Sequence, residues 1–133
     1  SAASDVYKRQ ELTNDVEAFG NYQSVARSTY LHQGFVRITN NGNGYVGIGA
    51  GTECNVVCGT IKLNVYLERS SGDGNFYSYM KWENVDYNEA SLYLDKEVKV
   101  EKGYYYRLRG YHSCTKNGAI ENGASRTNGI YIG

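Results

Sequence analysis

The stretch Gly103–Cys114, Gly-Tyr-Tyr-Tyr-Arg-Leu-Arg-Gly-Tyr-His-Ser-Cys, constrains the fold more than any other part of the chain. It is rich in strand-forming aromatics, lacks Pro, and carries Gly only at its start and near its middle. Side chains alternate across a strand. Tyr104, Tyr106, Leu108, Gly110, His112 and Cys114 therefore share one face, and Tyr105, Arg107, Arg109, Tyr111 and Ser113 share the other. The first set reads as a core face and the second as a solvated face of Tyr and Arg. Such a strand needs apolar partners, and the other runs of the chain supply them.

Thr60–Arg69 alternates most clearly, with Ile61, Leu63, Val65 and Leu67 inward and Lys62, Asn64, Tyr66 and Glu68 outward. Phe35–Thr39 and Tyr45–Ala50 match across the Asn-Gly pairs of Asn40–Gly44, the favoured chemistry of a tight hairpin. Gly51–Gly59, which carries Cys54 and Cys58, reads as a loop. Phe76–Glu83 sets Phe76, Met80 and Trp82 opposite Tyr77, Tyr79 and Lys81. Asn84–Ala90 reads as a second loop. Ser91–Val100 follows, with Leu92, Leu94, Val98 and Val100 on one side and a bulge expected at Lys96. Asn117–Gly123 holds two further Asn-Gly pairs, and Ser125–Ile132 closes the chain. These runs add up to about seven strands, which predicts an all-β fold, an antiparallel Greek-key, immunoglobulin-like β-sandwich.

Residues 1–26 lack alternation and read as a disordered leader, with Asn14–Glu17 able to cap a helical turn closed by Gly20; residues 27–133 form the single β-sandwich domain. Ser1–Gln10 resembles a decapeptide that recurs as translated adapter sequence at the ends of metagenomic reading frames. It is expected to add nothing to the fold, and a signal peptide is expected to be missing from the N-terminus.

Fourteen acidic and fourteen basic side chains give a formal charge of zero, which removes the electrostatic case for nucleic acid as a partner. No apolar run approaches the about 18 residues of a membrane span. Fourteen Tyr against three Phe and one Trp suit half-buried sheet faces, and they also suit a sticky recognition surface. The outward row Tyr105, Arg107, Arg109 and Tyr111, extended by Tyr77 and Tyr79, is the candidate ligand-binding face. Its expected partner is an extracellular glycan, peptide or protein. A solvated face of packed Tyr and Arg is the plainer alternative.

The three cysteines, Cys54, Cys58 and Cys114, predict one disulfide involving Cys114 in an oxidising compartment, with Cys54 or Cys58 as partner; a short Cys54–Cys58 bridge is the third option. With His112 they have the residue types of a structural zinc site, but metal knuckles use tighter Cys-x2-Cys turns. No metal and no cofactor are expected. His112 beside Cys114 suggests nucleophilic catalysis only weakly, because sharing a strand face does not orient a thiol against an imidazole. Pairing His112 with Glu121 as acid and base lacks a second group with a role. No catalytic residue is assigned.

Several stretches together resemble a family of small secreted proteins of Gram-positive, largely clostridial, bacteria known only as a domain of unknown function. They are Arg27 with Tyr30-Leu31, Ile61–Arg69, Trp82, Lys102–Arg107 with Gly110-Tyr111-His112, Glu121, Ser125 and Thr127–Ile130. The resemblance implies export and a β-rich domain, and it brings no activity with it. The expected function is thus a secreted, non-catalytic binding module. A secreted hydrolase using His112 and an antibacterial competition factor are the alternatives.

Overall fold

The computed structural model describes residues 11–23 and 30–133. Every regular element among them is a strand, as the alternation predicts. In chain order these are β1 (Leu12–Thr13), β2 (Glu17–Gln23), β3 (Leu31–Gly42), β4 (Tyr45–Ser70), β5 (Tyr77–Lys99), β6 (Tyr104–Lys116), β7 (Ala119–Arg126) and β8 (Gly129–Ile132). Ser1–Gln10 and Arg27 lie outside the described residues.

The strands join in a single mixed sheet curled into a half-barrel. The pairing does not divide into the two separate sheets of an immunoglobulin-like sandwich. The physical reason is the length of β4 and β5. β5 pairs with β4 from Tyr45 to Arg69 along one edge. Along its other edge β4 pairs first with β3, as far as Cys54, and then with β6, from Thr60 onward. The sheet bends where β4 changes partner, and the bend folds β3 over β6. Gly34 of β3 lies so close to the His112 ring that a methyl group there would overlap it. A methyl on Gly110 of β6 would lie 2.8 Å from Val36 Cγ1.

One core fills the concave side. Val36, Ile38, Val46, Ile48 and Ala50 come from one half of the bend, and Leu63, Val65, Leu67, Tyr106, Leu108, Ile130 and Ile132 from the other. Each buried Val, Leu and Ile among them contributes about 1.5–3 kcal/mol relative to exposure. Ile61, Leu63, Val65 and Leu67 are fully buried, which matches their alternation. The hairpin turn falls at Asn43-Gly44, where φ values of 57° and 80° give the left-handed pair that the Asn-Gly sequence favours.

Several expectations are corrected. Gly51–Gly59 and Asn84–Ala90 lie inside β4 and β5 rather than in loops, with the β4–β5 register broken between Glu53 and Cys58. No register shift marks Lys96, which pairs with Ile48 in sequence with its neighbours. The sheet begins before residue 27. β1 pairs with β8 in parallel, and β2 pairs with β3, so the stretch read as a leader supplies strands. The bulge lies instead at Tyr79: Leu67 pairs with Met80 and Glu68 with Ser78, leaving Tyr79 as the extra residue. The second Asn-Gly pair, Asn122-Gly123, is not a turn. It lies within β7, with Gly123 directly under the Tyr22 ring.

Candidate functional site

β6 is the strand the sequence predicts, with Tyr106, Leu108, Gly110, His112 and Cys114 buried. Its outward row is present on the convex face but largely satisfied from within. Glu68, only 8% exposed, accepts from Arg107 Nε at 3.0 Å and from Arg109 Nε at 3.3 Å. Arg107 also lies 3.7 Å from Glu11, and its guanidinium covers the Phe76 ring at 4.0 Å. Arg109 covers Tyr66 at 4.3 Å, and Tyr105 meets Tyr131 edge-on. Tyr111 is half-buried.

Tyr77 and Tyr79 do not join this row. The bulge turns Tyr79 towards the core, where it meets Tyr106 edge-on at 5.5 Å. Tyr77, Tyr79 and Tyr104 instead line a cleft around Arg69 at the end of the concave side. The Arg69 guanidinium lies 4.7 Å from the Tyr79 ring and 4.2 Å from the Tyr104 ring, and pairs with Glu101 at 3.0 Å. A one-residue insertion reverses strand parity, so the six residues of the predicted face fall into two groups.

A second aromatic row was not predicted. On the convex side of the other half, Phe19 of β2, Phe35 of β3 and Tyr93 of β5 line up across the sheet. Their centroids are 6.2 Å and 6.3 Å apart, and Phe19 and Phe35 are tilted by only 19°. Phe19 and Tyr93 are 58% and 56% exposed. β4 runs between Phe35 and Tyr93 and presents Gly47, Gly49 and Gly51 on this side, so the two rings close over Gly51. The Arg37 guanidinium extends over Gly49 and the Asn41 amide over Gly47. Glu53 fixes the polar margin, accepting from Tyr93 Oη and Gln33 Nε2 at 2.8 Å each. The signal in the sequence is the period-two glycine run Gly47-Ile48-Gly49-Ala50-Gly51, which marks a strand face without side chains.

His112 is fully buried between the halves of the bend. Thr52 Oγ1 uses its single proton on the Lys62 carbonyl at 2.9 Å, so it accepts from His112 Nδ1 at 3.0 Å. His112 Nε2 then accepts from the Ser125 hydroxyl at 2.7 Å. The hydrogen-bond network thus assigns the Nδ1–H tautomer. Burial lowers the imidazole pKa to about 4, which keeps the ring neutral. Both nitrogens are engaged, so neither faces Cys114 as a base nor stands free as a metal ligand. Glu121 is likewise committed in part, accepting from the Tyr30 and Leu31 backbone N–H groups at 2.9 Å each.

The structure brings the three cysteines together as free thiols, with Cys58 and Cys114 buried and Cys54 half-buried. Their sulfurs all lie within 4.8 Å of one another. Burial, reinforced by the neighbouring thiols, raises the Cys54 pKa, and burial also pushes Cys114 up to about 11.

The molecule is thus an all-β half-barrel domain with an aromatic outer row on one half, a charge-paired outer row on the other and a thiol cluster at the bend. Over residues 2–130 the sequence matches a family of unknown function, DUF6147, and the chain belongs to that family. No curated protein matches the chain. Among the described residues no helix is long and apolar enough to cross a membrane.

Proposed function

We propose that the protein is exported and acts as a non-catalytic binding module, with an extracellular glycan as its ligand and the Phe19–Phe35–Tyr93 row as its contact surface. The observation that supports this reading is the row itself. Three rings from three strands stand side by side, two of them more than half exposed, over a β4 segment that presents no side chains. Exposed aromatics in a contiguous group are more than solubility requires. Their negative faces suit the polarised C–H groups on the apolar side of a sugar ring. At the margin the Arg37 guanidinium supplies donors for hydroxyl groups, framed by Gln33 and Glu53, which bond to each other, and by Asn41, which donates to Glu97. The Tyr105–Tyr111 row is the less favoured surface, because its cations already have carboxylate and ring partners. A hydrolase built on His112 is disfavoured by the buried, doubly bonded ring. Binding of the purified full chain to an array of cell-wall and extracellular glycans tests the reading. The expected result is a glycan ligand whose affinity falls about tenfold or more in Phe19→Ser/Tyr93→Ser, a loss of about 1.4 kcal/mol. An array with no ligand, or a double variant that binds as tightly as the parent, sinks it.

A further inference from the structure

The three thiols meet at the corner where β4 changes partner. Cys54 and Cys58 are four residues apart on that strand. On a regular strand this spacing separates their side chains by about 13 Å. Pairing with β5 breaks between Glu53 and Cys58, and the bent chain brings the two sulfurs within 4.8 Å. Cys114 reaches the same point from β6. The corner therefore gathers three soft ligands from two strands that a straight β4 would keep apart.

We propose that Cys54, Cys58 and Cys114 form a tris-thiolate site for a thiophilic divalent cation of the zinc class. A zinc–sulfur bond of about 2.3 Å places tetrahedral sulfurs about 3.8 Å from one another, so the observed cluster needs little adjustment. A disulfide draws only two sulfurs together, to about 2.05 Å, and gives the third no role. Thiolates select soft cations over the hard, oxygen-preferring ones. Each thiol releases its proton as its sulfur–metal bond forms, and no redox change occurs. His112 is not the fourth ligand, since Thr52 and Ser125 hold both its nitrogens. The fourth position goes to solvent or a small exogenous ligand, and the half-exposed Cys54 side is the way in. The bound ion clasps the corner of β4 to β6, the place where the sheet turns over on itself. Packing of the sulfurs as small apolar groups beside Leu31, Tyr22 and Tyr30 is the alternative, and it predicts no affinity for metal.

The test uses the full chain, purified without chelator and then stripped of metal under reducing conditions. Titration with Zn2+ and with Co2+ should show one ion bound per chain, a thiolate-to-cobalt charge-transfer absorption, and a rise in thermal midpoint with metal concentration. All three thiols should resist alkylation until the metal is removed. Cys54→Ser and Cys114→Ser should each weaken binding by more than the roughly 10–100-fold that loss of a supporting contact costs. Cys54→Ser, at the half-exposed position, covers the case in which Cys114→Ser fails to fold. A folded, reduced chain that takes up neither ion overturns the proposal. So does a two-hydrogen mass deficit in the protein as isolated, which marks a disulfide.

Discussion

The two convex surfaces are built from the same kinds of residue and end in opposite states. On the β6 half, Arg107 and Arg109 converge on the nearly buried Glu68, and each guanidinium carbon sits over a ring, at 4.0 Å and 4.3 Å from the centroid. On the β3 half, Phe19 and Tyr93 leave more than half their surface to solvent, above a β4 segment of alternating glycines. The difference lies in the middle strand. Where β4 carries Tyr66 and Glu68, it fills and neutralises the face beside it. Where it carries Gly47, Gly49 and Gly51, the flanking side chains form the surface by themselves. A Tyr/Arg row in a sequence is therefore a poor guide to recognition until the residues of the neighbouring strand are known.

The sharpest test of this contrast is Glu68→Ala. Removing it leaves the largely buried Arg107 with only the Glu11 carboxylate at 3.7 Å and takes the carboxylate from Arg109, and should cost about 3 kcal/mol in urea unfolding. A loss under about 1 kcal/mol would show that the β6 row is not held from within, and it would return as a contact surface.

Acid should weaken the packing beneath both surfaces alike. His112 is neutral in the folded state, with its pKa lowered from 6.5 to about 4. Between these values the unfolded chain binds a proton that the folded chain does not, so stability is full above about pH 6.5 and falls as pH drops towards 4. The shift corresponds to roughly 3 kcal/mol. Urea midpoints at pH 7 and pH 4.5 should differ by less in His112→Gln than in the parent. Equal differences would mean that other groups carry the acid sensitivity.

Gly51→Val tests the glycine row directly. Its side chain would collide with the Phe35 and Tyr93 rings, which must swing away, at about 1–3 kcal/mol. Glycan affinity should fall with it. A variant that loses stability but keeps full affinity would separate the rings from the binding surface.

The smallest expected effect is at Arg109, which is 46% exposed in its side chain. Arg109→Ala should change stability by no more than about 1 kcal/mol and leave glycan binding unaltered. A large loss of affinity here would move the contact surface to the β6 half.

Glu121, Ser125 and Thr127 each make a structural contact. Glu121 holds the Tyr30 and Leu31 backbone N–H groups, Ser125 donates to His112, and Thr127 Oγ1 accepts from the Leu108 backbone N–H at 3.0 Å. These contacts tie β7 and the segment after it to β3 and β6.

Local alternation was enough to fix the class of fold and much of the core. Ile61 to Leu67 and Tyr106 to Cys114 face inward as period two requires, because the pleat allows no other choice once one face is buried. The Asn43-Gly44 turn was equally legible, since its backbone conformation is a property of those two residues. Everything that depends on which strands become neighbours was settled only by the tertiary structure. Partner exchange along β4 drew two expected loops into the long strands β4 and β5 and curled one sheet over itself. One inserted residue at Tyr79 moved two tyrosines off the predicted face. The same bend gathered three cysteines whose sequence separations, four residues and fifty-six, say nothing of their distance. Alternation is a local rule set by the backbone, whereas the meeting of side chains from distant strands follows from the bend and the register. Those are decided by the packing of the whole core.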